Sequence, residues 1–359
     1  SSSSRLLVFA PPPIWSANMG CCSGKYEQPK EIKSKHWPTF FASLPKMEGK
    51  VVAVTGCTSG TGFICAKACA QLGAQVVMLN RASERATKAE EQLRSEVPDV
   101  KVTTISCDLQ KFEAVRKAAE MLKEQFGETG LDVLCNNAGV MAMADQATVD
   151  GCDVQMQTNH LSHFLLTCEV WLLLDKAANF RGEARVVNHT SIARKGGALE
   201  KKYLGKNGGN LGGDSSNMVN GARWTRYHQS KLANVAFTYA LRDRAQAANS
   251  KVKSLMAHPG VSATNLQVTT IQDKGMSSGM ANMIVSQSAE DGAIGLTLCC
   301  CQPEVKSGEF YGPKGRGLSG MAVLLPAGPE EKLANEASRN LLWEESQLST
   351  GATFTIPAA

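Results

Sequence analysis

Val51-Val52-Ala53-Val54-Thr55-Gly56-Cys57-Thr58-Ser59-Gly60-Thr61-Gly62 reads as a short strand running into a glycine loop. An apolar run this short, ended by a glycine, suits a strand buried on both faces. Its glycines follow Gly-x-x-x-Gly-x-Gly, and a helical pattern begins directly after them. Gly56 permits the tight turn out of the strand. Gly60 and Gly62 let the backbone approach a pyrophosphate closely, with Ser59 and Thr61 in the same loop. The helix then offers free N–H groups and the positive end of its dipole to phosphates. A glycine loop alone says little; its place between a buried strand and a helix gives it meaning.

The same rhythm continues outward. Further strands are expected at 76–80, 102–106, 131–135, 185–190 and 252–257, with outer helices at 82–97 and 110–126, apolar on one face. Strand alternating with helix predicts βαβ units with right-handed crossovers. The expected fold class is α/β, a doubly wound parallel sheet with helices on both faces. One domain spans 46–345, between an N-terminal tail (1–45) and a C-terminal tail (346–359). Two segments break the rhythm. Residues 192–226, rich in Gly-Gly pairs, read as an insertion before a helix. Residues 264–285 carry Met276, Met280 and Met283 and read either as a lid over a substrate pocket or as a plain surface helix.

Composition narrows the function. Of 359 residues, 43% are hydrophobic and the net charge is +5, an ordinary globular balance without a basic run interleaved with aromatics. Nucleic acid is therefore not an expected partner. The 12 cysteines include no Cys-x-x-Cys. Cys65 with Cys69, and the run Cys299-Cys300-Cys301, lack zinc-site spacing, so no metal is expected and the thiols read as reduced and mostly buried. No stretch reaches the ~20 apolar residues of a spanning helix. The expected location is the cytoplasm. Met19, taken as a start, would give Met-Gly20-Cys21-Cys22-Ser23, similar to a dual acylation signal, with Lys25, Lys30, Lys33 and Lys35 adding attraction to anionic lipid. Peripheral membrane association would follow. Residues 1–18, with Ser and Arg but no acid, also suit an import peptide, and an unaddressed tail is the third reading.

The second strand ends in Asn80-Arg81. An enzyme using NAD usually places an acid there for the ribose 2′-hydroxyl. An arginine pairs instead with a 2′-phosphate, which an acid would repel, so NADP(H) is expected. The competing reading is that Arg81 only opens a solvated helix.

Tyr227-His228-Gln229-Ser230-Lys231 sets Tyr and Lys four apart, on one face of a helix. An ammonium near a phenol lowers its pKa and lets it exchange a proton with a substrate oxygen. Alone, this spacing is a common accident. Together with Asp108-Leu109, Asn136-Asn137-Ala138-Gly139, Asn159-His160-Leu161, Thr190-Ser191 and His258-Pro259-Gly260-Val261, all in order, the chain resembles the short-chain dehydrogenases/reductases over about 48–345. The stretches 159–164 and 227–234 are most similar to the retinol dehydrogenase-like branch.

That resemblance implies a Rossmann-like fold and a set of roles. Tyr227 would be the general acid/base. Lys231 would tune it and hold the nicotinamide ribose. Ser191 would bond the substrate oxygen, and Asn159 would organise a proton-relaying water. Asp108 and Leu109 would reach the adenine. Asn136, Ala138 and Gly139 would line the cofactor, Asn136 also fixing the sheet. Pro259, Gly260 and Val261 would run beside the carboxamide. The implied activity interconverts an alcohol and a carbonyl on an apolar, retinoid-, steroid- or lipid-like substrate. A light-dependent protochlorophyllide reductase-like enzyme and a non-catalytic NADP(H)-sensing protein are the alternatives. Relatives often pair as homodimers through the helices after the fourth and fifth strands. Thr61 departs from the family, which usually has an aliphatic residue there.

Overall fold

A computed structural model describes residues 32–315 and 317–358. The acylation and import readings fall on residues outside this range. Among the described residues one eight-stranded sheet has the order β3-β2-β1-β4-β5-β6-β7-β8. Its strands are β1 (Val51–Thr55), β2 (Gln75–Asn80), β3 (Val102–Ser106), β4 (Val133–Asn136), β5 (Ala184–His189), β6 (Val252–Ala257), β7 (Phe310–Gly315) and β8 (Ser319–Leu324). All neighbours pair in parallel except β7 and β8. The order reverses between β1 and β4, where a doubly wound sheet opens its ligand crevice.

Helices cover both faces. In chain order they are α1 (Trp37–Ala42), α2 (Gly60–Gln71), α3 (Glu84–Glu96), α4 (Phe112–Phe126), α5 (Val154–Met156), α6 (Ser162–Glu169), α7 (Trp171–Arg181) and α8 (Ala222–Ala247). They continue as α9 (Asn265–Gln272), α10 (Ser278–Met283), α11 (Ala289–Cys301), α12 (Pro329–Leu333) and α13 (Glu336–Thr350). One core joins α4, α6 and α8 to the sheet through Val115, Leu122, Phe164 and Phe237. The opposite core packs α2 and α11 through Cys65, Ala66, Leu296 and Cys300. Small side chains there let the two helices approach closely. No helix of the described residues is long and apolar enough to cross a membrane.

Both supposed tails need correction. Residues 34–37 are bound to the domain by one carboxylate. Asp291 accepts the Ser34 hydroxyl at 2.6 Å and the backbone N–H groups of Lys35, His36 and Trp37 at 2.9–3.0 Å. Phe40 is then buried against Ile294. At the other end, α13 runs on to Thr350, and Phe354 stacks on Trp343 at 4.9 Å between ring centroids. The aromatic pair also meets Phe164 of α6. Burial of large rings, invisible as a local period, draws residues 346–354 into the body. This packing closes part of the α6–α8 face through which a second copy was expected to pair.

Candidate active site

The glycine loop is built by close approach. Gly56 has φ +65°, and a Cβ there would lie 2.8 Å from the Cα of Ala138. A Cβ on Gly62 would strike the Asn137 amide, which donates to the carbonyls of Thr55 and Gly56 at 2.9 and 3.1 Å. Thr61 donates its hydroxyl to Asn137 Oδ1 at 3.3 Å. The family's usual aliphatic residue is thus replaced by one that helps tie the loop to β4. Asn137, overlooked in the sequence, is the side chain on which the loop hangs.

The N-terminus of α2 has no acidic residue in its first turn and no side-chain cap at Ser59. Its free N–H groups and dipole suit an anion. Around it stand Arg81, exposed at the end of β2, and Arg85, whose guanidinium reaches the hydroxyls of Thr58 and Ser59 at 3.4 Å. Arg85 escaped the sequence reading because it lies in the first turn of α3, past the strand end. Asn80 is turned inward: its Oδ1 accepts the Cys57 N–H at 2.9 Å, while its buried Nδ2 has no protein partner. It shapes the loop first.

Other expected cofactor residues take different parts. Asn136 is buried and donates its amide N–H groups to Thr167 and Asn188, at 3.2 and 3.0 Å, which ties β4 to β5 and α6. Asp108 is half-buried and accepts the Gln110 N–H at 3.1 Å, while Leu109 is buried with its carbonyl bonded to Ser162. Val261 donates its N–H to Leu318 at 2.7 Å, and Pro259 O is held by Ser262 and Gln287. Gly260 has φ +65°, where a Cβ would strike the Leu318 carbonyl. The loop after β6 therefore rests on the turn between β7 and β8.

Gly139 joins this cradle to the reacting groups. A Cβ there would sit 3.1 Å from Asn159 Oδ1 and 3.2 Å from Lys231 Nζ. Asn159 lies in a π-turn, Gln157–Leu161, the kind of local bulge that re-aims a side chain. Its amide holds Val140 at both N–H and carbonyl, 2.8 and 3.0 Å, and Ser230 at 2.8 Å. Lys231 Nζ donates to His189 O at 3.2 Å and lies 5.8 Å from the Tyr227 ring centroid. The Tyr227 phenol faces Ser191, whose own hydroxyl caps the turn at Ala193 N. Burial pushes Tyr227 up to about 12, with Ser191 pulling the other way. Burial holds Lys231 down to about 8. At neutral pH the phenol keeps its proton.

Over Tyr227 lies an apolar wall. Ala142, Trp224, Met276 and Ala281 are buried with it, and Met141, Met218, Ile271 and Met280 pack around them. The wall draws on residues 264–285 and on the insertion, and also on Met141 and Ala142, which the sequence did not single out.

The family model described as short chain dehydrogenase matches residues 50–203. Retinol dehydrogenase 14 of Mus musculus is 31% identical over 320 residues, 85% of this chain and 87% of its own. The short-chain dehydrogenase/reductase drtF of Aspergillus calidoustus is 31% identical over 291 residues, 77% of this chain and 88% of its own. The chain belongs to the short-chain dehydrogenases. Within that family it is retinol dehydrogenase-like, and it is an NAD(P)-dependent oxidoreductase. A crystal structure of a protein from Mycobacterium paratuberculosis, 30% identical, aligns with a TM-score of 0.67 over 88% of this chain and 98% of its own.

In this short-chain dehydrogenase the insertion is anchored by two arginines at the start of α8. α8 begins at Ala222, before the expected boundary at 227, so Arg223 and Arg226 stand on its first turns. Arg226 is wholly buried. It donates to the carbonyls of Gly213 at 2.9 Å and Met143 at 3.2 Å, and faces Asp145 and Asp153 at 3.5 Å. Arg223 bonds Asp273 at 2.8 Å, tying α9 to the same helix. Burial pushes the Asp153 carboxyl up to about 6, with Arg226 pulling it down. Replacing Arg226 with alanine strands that acid and the loop carbonyls of Leu211, Gly213 and Met143. We expect a loss of about 3 kcal/mol in urea unfolding, with proteolytic nicking at 205–220. An unchanged midpoint and nicking pattern would show that the insertion is held by other contacts.

Proposed function

We propose that the protein is an NADP(H)-dependent oxidoreductase that interconverts an alcohol and an aldehyde or ketone on an apolar substrate. The observation that carries this reading is the Ser191–Tyr227–Lys231–Asn159 cluster beneath an apolar wall, one glycine away from an anion-binding cradle. The residues of the cradle fit NADP(H): uncapped N–H groups of α2, the free Asn80 Nδ2, and two arginines at the β2 end. Bound there, NADP(H) supplies or receives the hydride.

The chain's own groups handle the proton. In reduction Tyr227 gives its phenolic proton to the substrate oxygen, which the Ser191 hydroxyl orients. Lys231 stands behind the phenol, its Nζ 5.8 Å from the ring centroid, and Asn159 fixes the Val140 backbone and Ser230 around it. Met141, Met218, Ile271, Met276 and Met280 give the pocket its apolar, adaptable lining. The substrate named for the mouse relative, a retinol, is of that class. Apolar aldehydes and ketones of retinoid, steroid or lipid type are the substrates we assign. A second copy, if one pairs, would need a surface beyond the part of the α6–α8 face that α13 covers.

The test is consumption of NADPH and of NADH by the purified chain against carbonyl compounds from small aliphatics to retinoids and steroids. We expect turnover with NADPH that rises with apolar bulk. Tight NADPH binding without turnover on any compound would turn the reading to a binding protein. The double variant Arg81→Ala/Arg85→Ala removes charge-assisted bonds to a 2′-phosphate. It should weaken NADPH binding by about 10- to 100-fold and leave NADH unaffected. Equal loss for both would place the arginines elsewhere.

A further inference from the structure

Behind the glycine loop, three distant segments bring thiols together. Cys65 and Cys69 lie a turn apart on α2, Cys135 is in β4, and Cys300 and Cys301 end α11; all are buried. The Sγ atoms of Cys65, Cys135 and Cys300 lie within 4.8 Å of one another, and Cys65 and Cys300 are 3.8 Å apart. That pair is too far apart for a disulfide and in van der Waals contact. Three sulfurs in a plane around a cation, each about 2.3 Å from it, lie about 4 Å from one another. Closing the group to that figure takes small rotamer shifts, not backbone movement. The Thr297 hydroxyl, wholly buried, faces Cys65 and has no other partner.

We propose that Cys65, Cys135 and Cys300 form a three-thiolate site for a soft, low-coordinate cation of the Cu(I) type. Thiolates alone select soft metals over magnesium, calcium or manganese. Structural zinc wants four ligands in a tetrahedron. The candidate fourth sulfur, Cys69, lies outside the 4.8 Å group and contacts Cys301 at 3.8 Å instead. Binding exchanges thiol protons for the metal; the protons pass to buffer and no electron moves. Sequence spacing could not reveal this site, because its ligands come from positions 65, 135 and 300. Its place has a consequence: α2 opens with the phosphate loop and β4 ends at Asn136, so the metal would pin both walls of the cradle.

The reduced full chain, kept anaerobic, is titrated with Cu(I) in competition with the chromophoric chelator bicinchoninate, with Zn(II) as a separate arm. We expect uptake of one Cu(I), a thiolate-to-copper band in the near ultraviolet, and an X-ray absorption shell of three sulfurs at about 2.3 Å. Cys135→Ser and Cys300→Ser should each lower affinity by more than about 100-fold, beyond what loss of an outer-shell partner does. Cys168→Ser, outside the cluster, should bind as the parent does. Should the serine variants fail to fold, pulse alkylation of the unaltered chain in mild urea decides: copper must protect the peptides bearing residues 65, 135 and 300. No uptake against bicinchoninate, protection at Cys107 or Cys168 instead, or a four-sulfur Zn(II) site outcompeting Cu(I) would overturn the proposal.

Discussion

Replacing Tyr227 with phenylalanine lowers reductive kcat by about 10³-fold, the scale of a lost general acid, while NADPH affinity stays within about twofold. The reason lies in what the phenol touches. Its hydroxyl faces Ser191, its ring packs edge-on against Trp224 at 5.9 Å, and the apolar wall closes around it. Phenylalanine keeps the ring and its packing and removes only the proton donor. Burial that pushes the phenol up to about 12 keeps the wild-type proton in place throughout the neutral range. Single-turnover rates with saturating NADPH, alongside fluorescence titration of the cofactor, make the measurement. A variant retaining a tenth of the rate would assign the proton to another group, and a variant unable to bind NADPH would mean the ring serves the cradle.

Stability should collapse on mild acidification. His160, His163 and His189 are buried, and desolvation holds them down to about 3, 4 and 3 respectively. Each has a polar partner suited to the neutral ring: Ser346 at 2.9 Å, Thr55 and Asn159 O at 2.9 and 3.0 Å, and Asn137 at 2.9 Å. In the unfolded chain a histidine titrates near 6.5. Below that pH the unfolded chain binds protons that the folded chain refuses, so unfolding is favoured as pH falls. Each histidine contributes roughly 1.4 kcal/mol per pH unit, and three together about 4. Asp153 works in the opposite sense. Raised to about 6 by burial, it takes up a proton in the folded state first and offsets about one histidine between pH 6 and 4. These four groups alone give a net loss of about 3 kcal/mol per unit, and His228 and His258, also held down by burial, add to it, enough to unfold a domain of ordinary stability near pH 5. Urea unfolding at pH 7.5, 6.5 and 5.5 measures it. A free energy that is flat across this range would mean that the imidazoles protonate in place.

What was legible in the sequence was whatever the chain writes locally. The glycine loop, the Tyr–Lys turn and the first six strands each lie within a few consecutive residues, and the structure contains all of them. β7 and β8 were not legible. Phe310-Tyr311-Gly312-Pro313-Lys314-Gly315 holds two glycines and a proline, and it joins the parallel sheet only at Met256 and Ala257. Long-range pairing was equally hidden. Arg194 and Glu330 form a buried ion pair at 2.9 Å that ties the turn after Ser191 to α12, across a sequence gap no pattern bridges. The same holds for Arg226 with Asp153, and for Phe354 with Trp343. Asn80 was half legible. The absence of an acid at the β2 end was visible, but the inward turn of its Oδ1 toward Cys57 depends on the loop's three-dimensional course.

The most direct test of the central claim follows the hydride itself. NADPH carrying deuterium at C4 of the nicotinamide, on one face and then on the other, is incubated with the unaltered chain and a long-chain apolar aldehyde. The account predicts that one face alone delivers deuterium to the carbinol carbon of the product alcohol, with a primary isotope effect in single turnover, and that Tyr227→Phe delivers almost none. Firm NADPH binding with no label in any product, in the presence of the preferred aldehydes and ketones, would contradict it.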